Sequence, residues 1–259
     1  MLRNYDRAIR LGYIQNLLQK VAAHSPVLLE TIDWLERIEG FAFEGAVNKR
    51  AARYSQAELK HYKQEALAAI KRLQRQLARS RKSYICECVT YCADFYKLKQ
   101  HERGVLEFAF RVSVDRLLCD LLDKIVEKGP FLKSEIISIA AEIPHAQVID
   151  SLDVQSTLIG NYLIRQPKRE DRFDYLLQEP LLIAVTNSMT QPAQLREKLL
   201  GAPVQAHLSM EDFAFMGEER DLAREILREA LDKSSKGINI LLYGPPGTGK
   251  TEFCKTLAA

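Results

Sequence analysis

Eight residues constrain this chain more than any others: Gly244-Pro245-Pro246-Gly247-Thr248-Gly249-Lys250-Thr251. Proline withholds an N–H and glycine adopts positive φ at no steric cost, so this stretch continues neither a helix nor a strand. An apolar run, residues 238–243, leads into it, and Glu252-Phe253-Cys254-Lys255-Thr256-Leu257 follows with helical character. A strand, a glycine-rich turn and a helix in that order aim successive N–H groups at one point, at the positive end of the helix dipole. With the pattern G-x-x-x-x-G-K-T, this is the arrangement of a phosphate-binding loop. Gly244, Pro245, Pro246, Gly247, Thr248 and Gly249 would wrap the phosphates. Lys250 would place its ammonium on the outer phosphates, Thr251 would offer its hydroxyl to a Mg²⁺ ion, and Glu252 sits beside them in the first helical turn. The plain alternative is a turn that merely joins strand to helix, and the flanking elements argue against it.

A chain of 259 residues has room for one large core or two moderate ones. Its net charge of +3 is too small to imply a polyanionic partner for the chain as a whole. No run of about eighteen apolar residues marks a membrane span, and the N-terminus carries no apolar signal-peptide core. Five cysteines, an odd number, fit free thiols in a reducing compartment, so a cytoplasmic location is expected.

The long Leu-, Ala-, Lys-, Arg- and Glu-rich stretches predict a mainly α chain. Ile9, Ile14, Leu17 and Leu18 mark one amphipathic helix. Val27, Leu28, Leu29, Ile32, Leu35 and Ile38 mark a second, opened by Ser25-Pro26 and closed by Gly40, with Trp34 as a packing anchor. Between residues 48 and 82 the chain turns basic. Lys49, Arg50, Arg53, Lys60, Lys63, Lys71, Arg72, Arg75, Arg79, Arg81 and Lys82 face only Glu58 and Glu65. Ser55 and Glu58 predict a capping box, and Ala66, Ile70, Leu73 and Leu77 a helical seam. This basic helix either touches nucleic acid or an acidic partner, or it is a solvated face. No interleaved aromatics read bases, which favours the second. Cys86, Cys88 and Cys92 raise the question of zinc, but no second pair follows, and His101 and Cys119 are isolated; buried thiols fit better.

From Glu102 to Pro180 the order is helices and then two short apolar arms. Val105, Phe108, Ala109 and Val112 mark a helix, and Leu117, Leu118, Leu121, Leu122 and Ile125 another. Ser134 is placed as the cap of a short helix over 135–142, and a further helix is expected around 148–158. Residues 162–165 and 173–176, joined by the charged turn Lys168, Arg169, Glu170 and Asp171, read as a β-hairpin. That is the order of a winged helix-turn-helix. The stretch 144–151 carries His145 and Gln147 but no Lys or Arg, and Asp150 and Asp153 repel phosphate, so nucleic-acid binding by this unit is possible but not favoured over protein docking. Helix continues over 181–206, Ser209 and Asp212 predict a second capping box, and Leu222, Ile226, Leu227 and Leu231 share a face of a charged helix over 218–232. The divisions read along the chain are therefore 1–100 helical with a basic helix, 101–180 winged-helix-like, 181–207 a helical linker, and 208–259 the start of an α/β nucleotide-binding domain.

The string Gly244 to Thr251 and the segments around it, from Leu208 onward, resemble the AAA ATPases, in particular a bacterial group with a helical N-terminal region. The resemblance implies ATP and Mg²⁺ as ligands, homo-oligomeric rings, and hydrolysis coupled to remodelling of a protein substrate. It suggests that Phe213, Phe215 and Met216 approach the adenine. The acidic strand, sensor residue and arginine finger of that family would lie beyond Ala259, about two helical turns past Lys250. The expectation is therefore a nucleotide-binding portion without catalytic turnover of its own. A docking module for nucleic acid or protein, with a vestigial loop, is the alternative.

Overall fold

Apolar side chains at helical spacing become helices through most of the described residues. The computed structural model describes residues 4–22, 25–43, 54–77, 83–166, 172–186, 194–197, 201, 205–233, 235 and 237–258. Lys49, Arg50, Arg53, Arg79, Arg81, Lys82 and the turn Lys168, Arg169, Glu170, Asp171 lie outside the described residues. The chain divides into two compact units, Met1–Leu199 and Leu200–Ala259. Among the described residues no strand forms, and no helix is long and apolar enough to cross a membrane.

In the first unit α1 (Asn4–Lys20) runs antiparallel to α3 (Gln56–Leu77), because Gln74 donates to the Ala8 carbonyl while Lys63 donates to those of Gln19 and Val21. Local chemistry sets the ends. The Ser25 hydroxyl accepts from Val27 N–H at the start of α2 (Pro26–Glu39), and Gly40 at φ 71° ends it in a left-handed cap. Ser55 and Glu58 make the expected reciprocal box at the start of α3. The central helix is α5 (Gln100–Val114), whose Val105, Leu106, Phe108, Ala109, Phe110 and Val112 are all buried. A helix apolar around most of its circumference must be enclosed. It packs against α4 (Tyr84–Phe95), α6 (Arg116–Lys128), α7 (Lys133–Ala141), α8 (His145–Ser151), the short α9 (Thr157–Gly160) and α10 (Glu179–Thr186). Trp34 is buried, as its anchor role requires, and its indole N–H donates to the Leu117 carbonyl at 2.9 Å.

Several details depart from the pattern. Leu117 is exposed although its helical neighbours are buried. The α7 cap is the backbone of Leu132, whose N–H the Glu135 carboxylate accepts at 2.8 Å, while the Ser134 hydroxyl instead lies 3.0 Å from His145 Nε2. The expected β-hairpin is reduced to one antiparallel bridge, Ile164 to Leu177. Its second arm coils into a 3₁₀ turn, Phe173–Leu176, because Phe173 is drawn into the core against Phe108 and its N–H is taken by Asp123.

Periodicity gives no sign of the charges inside this unit. Arg10 bridges Glu39 and Asp115, and Asp115 uses its other oxygen to cap α6 through Leu118 N–H. Arg111 joins Asp6 at 2.5 Å and Glu107 at 2.7 Å, and the Ser83 hydroxyl donates to the same Asp6 oxygen. Arg10, Glu39, Asp6, Arg111 and Asp115 are all buried. Buried charges are tolerated only when paired and hydrogen-bonded, so these side chains pin α1 to α2, α5 and the α5–α6 junction. Cys88 and Cys92 sit on the buried face of α4, where burial pushes their thiols up to about 11 and about 12. Among the described residues no group of three or more His, Cys, Asp or Glu side chains is placed to hold a metal ion.

The second unit is thinner. A 3₁₀ turn, Met210–Met216, follows the box formed by Ser209 and Asp212. Then come α11 (Glu218–Asp232), a stretch over 237–243 that is neither helix nor strand, the loop at 244–249 and α12 (Lys250–Ala258). Its buried core is Phe213, Ala223 and Phe253, with Met210, Met216, Leu242 and Leu257 packed against them. The strand expected over 238–243 does not form.

Candidate functional site

The loop is shaped by its glycines. Gly244, Gly247 and Gly249 have φ of 142°, 82° and 82°, values that L side chains rarely adopt. A Cβ built on Gly247 meets nothing within 4 Å, so this edge of the loop faces open space. The Gly249 carbonyl accepts from Phe253 N–H at 2.8 Å, which starts α12 at Lys250. Phe253 anchors that helix by stacking edge-on against Phe213, ring centroids 5.0 Å apart.

The first N–H groups of α12, from Lys250 onward, have no acceptor within the helix, as at any helix start, and a turn at Pro246-Gly247 precedes them. The Lys250 ammonium folds back over the loop, donating to the carbonyls of Gly244 at 3.0 Å and Pro245 at 2.7 Å and to Thr248 Oγ1 at 3.2 Å. The Thr248 hydroxyl in turn donates to the Pro245 carbonyl. Helix-start donors and one ammonium thus belong to the same few residues, next to the glycine turn. That donor set fits a phosphate chain. Thr251 is exposed in the first turn of α12, where its hydroxyl could join a hydrated Mg²⁺. Glu252 is held by Lys255 at 2.6 Å, and this hydrogen bond keeps its carboxyl below the usual range.

Beside the loop lies a cavity of about 250 Å³. Phe213, Phe215 and Met216, the three residues suggested by sequence for the adenine, all line it. Phe213 forms the floor and is buried, whereas Phe215 is 76% exposed at the rim. The sequence reading missed Leu242 and Tyr243, which also line it. Leu242 packs against the small core while Tyr243 is 90% exposed, and the sequence Ile-Asn-Ile-Leu-Leu-Tyr carries no signal that separates them. No carboxylate or imidazole lines the cavity.

Comparison with known proteins finds similarity over part of the chain. An 86-residue stretch, 32% of the chain, is 35% identical to ATPase family AAA domain-containing protein 3 of Bos taurus. It is 36% identical to ATPase family AAA domain-containing protein 3A of Homo sapiens. The match covers 14% of each of those relatives, so the chain spans only about a seventh of their length. No family model matches the chain, and no solved structure matches it. What is established is distant similarity to AAA-domain proteins in a mainly helical chain.

Proposed function

We propose that residues 244–251 bind the phosphates of ATP together with Mg²⁺, and that this chain is the nucleotide-binding portion of an AAA-type ATPase. The observation that carries the reading is the Lys250 ammonium folded over the positive-φ glycine loop at the start of α12, where the first N–H groups have no intrahelical acceptor. The adjoining cavity, with aromatic walls from Phe213 and Phe215, suits a purine base. Gly244, Pro245, Pro246, Gly247, Thr248 and Gly249 hold the phosphates, Lys250 neutralises them, Thr251 holds the metal, and Glu252 keeps Lys255 off the loop. In the whole protein, hydrolysis would drive remodelling of a protein substrate in a homo-oligomeric ring in the cytoplasm. The chain alone binds without turnover, because phosphoryl transfer needs a group that positions the attacking water and the cavity walls supply no carboxylate or imidazole.

Within the first unit, residues 101–180 are read as a winged-helix-like module that docks protein. The support is the order α5 to α9 followed by the single bridge at Ile164, and the exposed face of α8 with Ile149 and Asp150.

Equilibrium binding of a fluorescent ATP analogue tests the main reading. The chain should bind it in the presence of Mg²⁺, and Lys250→Ala should weaken binding about 10- to 100-fold, the worth of a charge-assisted contact of about 1.5–3 kcal/mol. Equal binding by the variant would remove the loop from the account, and measurable phosphate release by the wild-type chain would overturn the absence of turnover.

A further inference from the structure

We infer that the exposed cationic face of α3 docks the phosphate backbone of duplex nucleic acid without reading its sequence. Lys60, Lys71, Arg72 and Arg75 are exposed, and none makes an ion pair among the described residues. The acids that could neutralise them are engaged or turned away: Glu58 is committed to Ser55, and Glu65 is half-buried. Beyond Glu65 the helix carries three cations and no acid. Lys63 is different, since it is tied to the carbonyls of Gln19 and Val21, and that tie places the exposed Lys20 at the same end as Lys60.

The shape also matters. At 1.5 Å per residue, Lys60 to Arg75 spans about 22 Å of straight helix, while duplex DNA presents a negative charge every ~1.7 Å along its axis. Lys71, Arg72 and Arg75 cluster near the C-terminal end of α3 and Lys60 lies about 16 Å before them, a spread along one straight helix that matches a linear polyanion better than a compact acidic patch. A membrane surface fits less well. Helices that lie in a bilayer interface need Trp, Phe or Leu on their exposed flank, and none of the exposed large apolar side chains falls on α3. The proposed contact is between these cations and phosphates, which carry no sequence information.

The test is fluorescence anisotropy of the full chain, without nucleotide, against random-sequence duplex DNA over a salt series. Four phosphate contacts predict a slope of log affinity against log salt near −3.6, about 0.9 per contact, the same for unrelated sequences. The variant Lys71→Gln/Arg72→Gln/Arg75→Gln should lose about 2.7 of that slope. Its charge-preserving counterpart, Lys71→Arg/Arg72→Lys/Arg75→Lys, should retain it, which separates lost charge from lost fold. Arg224→Gln/Arg228→Gln, on α11, and Lys250→Ala should both leave it unchanged, so the outcome is independent of the phosphate loop. No binding at low salt, an unchanged slope in the triple Gln variant, or binding only to phosphatidylserine vesicles or polyglutamate would each overturn the proposal.

Discussion

In the first unit α5 is enclosed along most of its surface, and six charged side chains among the described residues are folded inside with the apolar ones. In the second, α11 buries only Ala223 and leaves Leu222, Ile226 and Leu231 exposed. The two regions are specified by different parts of the polypeptide. Side-chain burial and ion pairing define the first, so its structure is sensitive to almost any interior change. Main-chain conformation at a few glycines and one lysine defines the site in the second, around a core of three buried residues. The proposed site sits where the packing is thinnest.

The largest expected effect breaks the first region alone. Arg111→Leu leaves the buried Asp6 and its partner Glu107 without their cation, and removing one member of a buried pair costs about 3–5 kcal/mol. A urea unfolding series should show the main transition moving by that amount, and a shift below 1 kcal/mol would mean that the network is not structural. A matched pair of leucines sharpens the contrast. Leu118→Ala, in the interior of α6, should cost about 2–5 kcal/mol, whereas Leu231→Ala, 80% exposed on α11, should stay within about 0.5 kcal/mol. Equal effects would mean that the second unit is as densely packed as the first.

The smallest effect concerns the entry to the second unit. Hydrogen bonds from the Ser209 backbone and hydroxyl hold the Asp212 carboxyl below its ordinary value. A depressed folded-state pKa contributes stability that is fully present above the unfolded value, about 3.9, and is lost as pH falls through the folded value. Carboxyl titration by NMR should place Asp212 below the other exposed aspartates, and Ser209→Ala should return it towards them.

These two regions were also unequally legible in sequence. The loop could be read residue by residue, since its chemistry lies in the backbone and glycine, proline and lysine are its direct record. So could the caps at Ser25, Ser55 and Ser209, each set by residues within three or four positions. The ion pairs could not, because Arg10 meets Asp115 and Asp6 meets Arg111 across 105 residues of chain, and periodicity carries no information at that separation. The same limit explains the hairpin. Its second arm was read from β-prone residues, but Phe173 answers to Phe108 in the core, and tertiary packing overrides local propensity. Residues 238–243 were read as a strand and form none, since pairing is a property of neighbours that no segment specifies by itself.

In the proposed site, backbone donors of the glycine loop and of the start of α12 receive the phosphates of a nucleotide. The chain holds 12 glycines, which makes glycine-selective ¹⁵N labelling a direct probe. On titration with ATP and Mg²⁺, the amide signals of Gly244, Gly247 and Gly249 should move and saturate together, while those of Gly104 and Gly129 in the first unit stay in place. Saturating shifts at Gly104 or Gly129 with the three loop glycines unmoved, or no shift at any glycine, would contradict the account.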